Sequence, residues 1–302
     1  MMRLLVTGAS GLLGEKLTSL ALKRGFETYG TYNINPIDVS NSVHLNLADR
    51  RTVLDVCKKI DPDYIINAAA ITDVDLCERE KNLALTINTE SAGYLAEASR
   101  MIGSHLVQVS TDYIFDGKKG EYSEMDEPNP INNYGYSKLL GEKKVSSIAR
   151  SWCIARTSVV FGWGREKRPN FATWILNGLK TRKNFSIVTD QYASPTLNTN
   201  LAEMLLEIAE KRLQGIYHVA GRDRINRYDM AIKIAETFNL NKSLLSPVES
   251  TGISWLAKRP ADSSLKVEKS FKELNNKPLH IEEAITQMKR TENQENRGNN
   301  FK

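Results

Sequence analysis

Cysteine is scarce in this 302-residue chain: Cys57, Cys77 and Cys153 are odd in number, scattered and without a paired spacing. That argues against a disulfide framework or a Cys-based metal or redox motif, and it fits a reducing compartment. The four histidines, His44, His105, His218 and His280, lie far apart and form no local ligand set, so no metal is expected. No apolar run reaches membrane-spanning length. The apolar part of the opening MMRLLVTGAS is too short for a signal peptide, so a soluble cytoplasmic protein is expected. A strong charge of one sign is also lacking, since 41 Lys and Arg against 36 Asp and Glu leave only +5. The densest cationic cluster, GREKRPN (Gly164 to Asn170), is short. Neither nucleic acid nor a membrane is expected as a partner, and a few arginines better suit a phosphorylated small molecule. What is present, 41% hydrophobic and 25% charged residues, is the balance of an ordinary globular protein. The length suits a large α/β domain with a smaller companion.

Short apolar runs alternate with longer amphipathic segments. RLLVT (Arg3 to Thr7) reads as a buried strand and Leu12 to Gly25 as a helix ending in glycine. Phe26 to Tyr32 reads as a second strand. Asp63 to Ala70 reads as another, after the helical ADRRTVLDVCKKI. A long helix within Asn82 to Met101, a strand at His105 to Ser110, a helix from about Asn133 and a strand at Cys153 to Ser158 follow. This alternation predicts an α/β fold with a Rossmann-like, doubly wound parallel sheet. Residues 1–160 form the dinucleotide-binding domain on this reading. After Ser158 the pattern loosens into helices around Phe171 to Leu179, Leu201 to Arg212 and Tyr228 to Phe238, with strands FSIVTD and GIYHVAG. Residues 161–289 therefore read as a smaller lobe, interleaved with returns to the sheet around 190–240. The polar run 290–302 reads as a disordered tail.

Between the first strand and the first helix lies VTGASGLLG. Gly8, Gly11 and Gly14 there permit a tight turn and close backbone approach to a pyrophosphate, and the helix N-terminus offers free N–H groups. The spacing G-x-x-G-x-x-G is weak alone and stronger at the start of a βαβ unit. A glycine turn without a ligand is the competing explanation. Gly8, Ser10, Gly11, Leu12 and Gly14 are the candidate cradle. Asn46 and Leu47 could lie near an adenine, and Ala68, Ala69 and Ala70 could let the chain pass close under the cofactor. The segment after the second strand, GTYNINP, has no acid before Asp38. Without a carboxylate to repel a 2′-phosphate, NADP is preferred to NAD and both are acceptable.

In NNYGYSKLLGEKK, Tyr134 and Lys138 are four residues apart and share a helix face, whereas Tyr136 does not share it. An ordinary surface pair is the plain alternative. A free phenol titrates near 10. A neighbouring ammonium and an oxidised nicotinamide would lower that value, and such a tyrosine could protonate a carbonyl oxygen as hydride reaches its carbon. Ser110 and Thr111, just past a sheet strand, are the candidates to hold the same oxygen.

These features resemble the extended short-chain dehydrogenase/reductases. The blocks NAAAITDVDLCE, VSTDYIFDG, PNPINNYGYSKLLGE, ARTSVVFG, DQYASPT and RPADSSL narrow the resemblance to the dTDP-4-dehydrorhamnose reductase family, as far as about Leu265. The resemblance implies Thr111 polarising the substrate carbonyl, Tyr134 as proton donor, and Lys138 tuning the phenol and binding the nicotinamide ribose. It implies Tyr113 lining the sugar site, with Thr72, Asn170, Gln191 and Arg259 bordering the substrate; a structural role is equally open for Gln191 and Arg259. The pattern departs at Val159, where many such reductases carry a tryptophan, at the longer and more basic GWGREKRPNF, and at Ala193. The implied activity is NAD(P)H-dependent reduction of the C4 keto group of a nucleotide-linked 6-deoxy-4-keto sugar, dTDP-4-dehydro-L-rhamnose first. The alternatives are another keto-sugar, or a non-catalytic NADP-binding subunit resembling the methionine adenosyltransferase β subunit. A homodimer is compatible with the resemblance.

Overall fold

Leu4, Leu5 and Val6 are apolar on both strand faces, so this run has to be covered on both sides. In the computed structural model of the protein, which describes residues 1–164 and 169–299, it is the central strand β1 (Arg3–Thr7). The strands β2 (Glu27–Tyr32), β3 (Ser42–His44), β4 (Tyr64–Asn67), β5 (His105–Thr111) and β6 (Trp152–Thr157) join it, together with Gly215–His218. The order across the sheet is 215–218, β6, β5, β4, β1, β2, β3. Every pairing is parallel, as the strand–helix alternation predicts. The chain runs outward from β1 to β3, then crosses back to β4 on the other side of β1. The C-terminal ends of β1 and β4 therefore open a crevice at the point where the strand order reverses.

Helices cover both faces. One core is built from β1, α1 (Leu12–Lys23) and the later helix Asn198–Glu210, through Leu13, Leu17, Leu201 and Leu205. The opposite core joins α2 (Arg50–Ile60) to the helix Ser91–Ile102, through Val53, Cys57, Leu95 and Ala96. Within Asn82 to Met101 a long helix is expected; after α3 (Val74–Arg79) the chain forms there the turn α4 (Lys81–Ala84), a π-helical turn (Leu85–Glu90) and then α5 (Ser91–Ile102). The wide turn bears on the next helix, α6 (Asn133–Ile148), where a Cβ on Gly141 would meet the Asn88 carbonyl at 2.5 Å.

Past β6 a separate apolar cluster forms around α7 (Phe171–Lys180), α9 (Arg227–Thr237) and α11 (Ile281–Asn299); α8 is the helix Asn198–Glu210 on the main sheet and α10 is Glu268–Glu273. The strand within FSIVTD, Phe185–Val188, pairs with Leu245–Val248 and not with the main sheet. The tail expected to be disordered from Arg290 is helical as far as Asn299. Its helix is anchored upstream by the buried Ile281, Ala284, Ile285 and Met288, and Glu292 pairs with Lys180 at 2.7 Å. An anchored helix extends through polar residues at little cost, because nucleation is the expensive step. Residues 300–302 of that tail, and residues 165–168 of the basic cluster, lie outside the described residues. Among the described residues no helix is long and apolar enough to cross a membrane.

One ion pair is fully interior. Arg156 of β6 donates to Glu142 of α6 through Nε and Nη2 at 3.1 and 2.8 Å, with side chains only 3% and 4% exposed. Removing one partner strands the other charge in the core. Arg156→Met is expected to lose about 3–5 kcal/mol of stability. Urea unfolding reads this directly, and a loss below about 1 kcal/mol would show that the pair is not structurally important.

Candidate active site

The glycine loop is shaped by contacts that tolerate no side chain. Gly8 has φ of 68°, and a Cβ there would lie 2.7 Å from the Ala69 Cα; on Gly14 it would lie 2.1 Å from the Gly8 carbonyl oxygen. Gly11 is the N-cap of α1 and, having no side chain, makes no side-chain cap hydrogen bond. A helix start of this kind carries a partial positive charge that suits an anion, and Ser10 and Leu12 flank it. Ala68 and Ala69 pack beneath the loop and Ala70 is half-buried beside them. β2 ends at Tyr32, followed by the exposed Asn33 in place of a carboxylate. Asn46 is exposed and accepts from the Ala48 N–H at 3.0 Å, while Leu47 is buried.

A buried hydrogen-bond chain links this cradle to the next strands. Thr7 Oγ1 donates to Asn67 Oδ1 at 2.5 Å, Asn67 Nδ2 to Gln108 Oε1 at 2.8 Å, and Gln108 Nε2 to the Val109 carbonyl at 2.9 Å. The same carbonyl accepts from Lys138 Nζ at 2.7 Å.

Lys138 projects from α6, whose start is set by Asn132. The Asn132 side chain accepts from the Gly135 N–H at 2.8 Å and donates to the Lys258 carbonyl at 2.9 Å. With this start, Tyr134 and Lys138 fall on the inner face; Lys138 is buried, and Tyr136 is 48% exposed. The π-helical turn holds the other side of α6: Asn88 Nδ2 donates to Ser137 Oγ at 3.0 Å, and its Oδ1 accepts from the Ile71 N–H at 2.8 Å.

The Tyr134 phenol faces the Thr111 hydroxyl. Burial pushes that phenol up, against a pull downward from Thr111. This is opposite to the lowering expected from Lys138 and an oxidised nicotinamide, because burial dominates and Asp112, Cys77 and Tyr113 add to it. Tyr134 is therefore held protonated, the state a proton donor needs. Burial also pushes Lys138 down, from 10.5 to about 8, with Glu142 opposing.

Thr111 Oγ1 donates to Asp112 Oδ1 at 3.0 Å and accepts from the Tyr113 N–H at 3.2 Å. Of the two hydroxyl candidates, Thr111 is the one facing Tyr134; the buried Ser110 hydroxyl has no hydrogen-bond partner among the described residues. Asp112, which no motif singled out, also accepts from Ser158 Oγ at 2.8 Å and Ser263 Oγ at 2.5 Å. Burial pushes its carboxyl up and the three hydroxyls oppose that shift.

The expected substrate residues divide. The Tyr113 ring meets Tyr134 edge-on, with centroids 5.8 Å apart. Arg259 acts on Tyr113 electrostatically, but its guanidinium is also paired with Asp75 at 3.0 Å and donates to the Ala257 carbonyl at 2.8 Å. Asn170 caps α7 by accepting from the Thr173 N–H at 3.3 Å, and donates to the Gly162 carbonyl at 2.8 Å. Thr72 is exposed in the loop after β4, and Gln191 is half-buried in the turn before Tyr192. No described hydrogen bond or ring contact joins Thr72, Asn170 or Gln191 to Tyr134. Val159 is β-branched yet has φ of 41°, a conformation costing about 1–3 kcal/mol. Its carbonyl accepts from the Thr196 N–H at 3.2 Å, which helps hold it there.

A protonated phenol beside a dinucleotide cradle, at the C-terminal edge of a parallel sheet, marks an oxidoreductase of the extended short-chain dehydrogenase/reductase class. The chain belongs within it to the dTDP-4-dehydrorhamnose reductase family, for the family model described as RmlD substrate binding domain matches residues 2–293. The dTDP-4-dehydrorhamnose reductase of Aggregatibacter actinomycetemcomitans is 36% identical over 286 residues, covering 90% of this chain and 94% of its own. The crystal structure of a Bacillus anthracis dTDP-4-dehydrorhamnose reductase in complex with NADP superposes with a TM-score of 0.86 at 30% identity, covering 95% of this chain and 99% of that one. Methionine adenosyltransferase 2 subunit beta of Danio rerio is 31% identical over 271 residues, covering 87% of this chain and 82% of its own.

The buried lysine carries a testable cost. Between about 8 and 10.5 the unfolded chain holds a proton on Lys138 that the folded chain lacks, so this residue makes stability rise with pH across that window. Below it the folded state carries a desolvated ammonium. Lys138→Met is expected to be more stable near neutral pH, by on the order of 2 kcal/mol after loss of the Val109 bond. The advantage should shrink as the pH climbs. Denaturation of the cofactor-free protein at neutral and alkaline pH checks this, and a variant less stable at neutral pH would contradict it.

Proposed function

We propose that the protein reduces the C4 keto group of a nucleotide-linked 6-deoxy-4-keto sugar with NADPH or NADH, with dTDP-4-dehydro-L-rhamnose as substrate and dTDP-L-rhamnose as product. The observation that carries this reading is the half-buried Tyr134, its phenol facing Thr111 and its ring edge-on to Tyr113, one helical turn from the buried Lys138. The loop and helix start at Gly8, Gly11 and Gly14 suit a pyrophosphate: Gly8 and Gly14 allow a tight turn where a Cβ would strike backbone, and the turn leads into the start of α1. Ala68, Ala69 and Ala70 would pass beneath the dinucleotide, and Lys138 would hold its ribose. The reduced nicotinamide, when bound, supplies the hydride.

Tyr134 gives its proton to the keto oxygen as negative charge develops there, and Thr111 positions that oxygen. The phenolate left behind is costly in a buried site, so a charged Lys138 close by lowers the barrier. With Asn33 where a carboxylate would repel a 2′-phosphate, NADPH is the favoured donor and NADH is accepted. Relatives named as dTDP-4-dehydrorhamnose reductases support the sugar assignment.

The likeness to methionine adenosyltransferase 2 subunit beta supports a second reading, a non-catalytic NADP-binding regulatory subunit. Stable co-purification with a methionine adenosyltransferase catalytic subunit, without turnover of any keto-sugar, would favour it.

Tyr134→Phe is expected to lower kcat by about 10²–10⁴-fold while leaving NADPH affinity intact. Steady-state NADPH consumption and a binding titration test both halves. Full turnover in the variant would remove Tyr134 from the proton transfer.

A further inference from the structure

Arg227 is the first residue of α9, in the smaller lobe, yet its guanidinium reaches the site. It lies 5.1 Å from the centroid of the Phe171 ring, and its charge acts on the Tyr113 phenol and, beyond it, on the buried Asp112. Tyr113 packs edge-on against Tyr134, so a single ring separates Arg227 from the proton donor. Arg227 is half-buried and, among the described residues, is not engaged in an ion pair. Other arginines of the molecule are: Arg156 pairs with Glu142, Arg224 with Asp262, and Arg259 with Asp75. Both Arg259 and Arg227 bear on Tyr113, but the Arg259 charge is shared with a carboxylate 3.0 Å away.

A guanidinium with an aromatic ring beside it and a phenol at one edge loses little freedom on binding an anion. It presents its remaining N–H groups as a planar fork, matched to phosphate or carboxylate. The cofactor pyrophosphate already has its cradle at Gly8 to Gly14, on the other lobe. The anion for Arg227 therefore belongs to the substrate.

We infer that Arg227 binds the diphosphate of the nucleotide-linked substrate and so fixes how far the sugar reaches toward Tyr134. This rests on the nucleotide-sugar reading above. It adds a residue that no motif in the sequence marks, on an element outside the Thr111–Tyr134–Lys138 set.

Calorimetric titration of the whole protein, saturated with NADP, with dTDP and separately with thymidine tests it. In the wild type dTDP binds more tightly than thymidine. In Arg227→Gln the dTDP affinity is expected to fall about 10- to 100-fold, with thymidine and NADPH affinities unchanged. Arg227→Lys, which keeps the charge but not the fork, should recover part of the loss, and it serves if the glutamine variant does not fold. Equal weakening of dTDP and thymidine would mean that Arg227 only supports the walls of the site, and would overturn the assignment. An undiminished preference for dTDP in both variants would overturn it as well, leaving the reductase reading intact. A wild type that binds neither dTDP nor thymidine and turns over no dTDP-linked keto-sugar would overturn the nucleotide-sugar reading itself, and this assignment with it.

Discussion

The hydrogen bond from Lys138 Nζ to the Val109 carbonyl is the contact on which the site depends. It pins α6 to the end of β5, and Gln108, Asn67 and Thr7 continue the connection beneath the glycine loop. The helix that carries Tyr134 and Lys138 and the glycine loop are thus tied together by one chain of hydrogen bonds. That chain has a cost. A lysine is kept from water, and its ordinary charge is disfavoured until a partner arrives. Glu142 is the nearby carboxylate that offsets this, and it is itself anchored by Arg156. The buried ion pair, the lysine and the carbonyl form one arrangement, with stability given up at Lys138 for the positive charge that the proposed reduction would use.

A second knot lies at Asp112. Three hydroxyls from the end of β5, the end of β6 and the segment after Arg259 converge on it. It sits beside Thr111 and bonds both that hydroxyl and Ser263, which ties the segment after Arg259 to the group facing Tyr134. The left-handed Val159, next to Ser158, is part of the same junction. Strain there is tolerated because its neighbours are held on both sides: Ser158 bonds Asp112 and the Ser194 N–H, and Thr196 bonds the Ser158 and Val159 carbonyls.

What could be read from the amino-acid sequence was local and steric. Gly8 and Gly14 are legible because backbone lies where a Cβ would go, and the choice of Tyr134 over Tyr136 follows from helical period alone. The parallel sheet was legible because strands buried on both faces leave unbroken apolar runs. What could not be read depends on distant segments. Asp112 and Ser263 are 151 residues apart, and Arg259 and Asp75 are 184 apart. The upward shift of the Tyr134 phenol comes from burial, which no spacing of tyrosine and lysine reveals. The resemblance implies a place for Asn170 at the substrate's border, whereas its side chain is engaged in capping α7. Arg227 has no motif at all and gains meaning only when α9 is seen beside Tyr113. The C-terminal run was misread because polar composition was taken as disorder, although the apolar turn before it anchors a helix.

In the proposed reaction a hydride from the nicotinamide reaches C4 of a nucleotide-linked keto-sugar while Tyr134 protonates the oxygen. The most direct measurement is to supply NADPH deuterated at the nicotinamide C4, with dTDP-4-dehydro-L-rhamnose, and to examine the product sugar by NMR. One deuterium at C4 of dTDP-L-rhamnose is expected. Product without deuterium, or no product from protein that binds NADPH and dTDP, would contradict it.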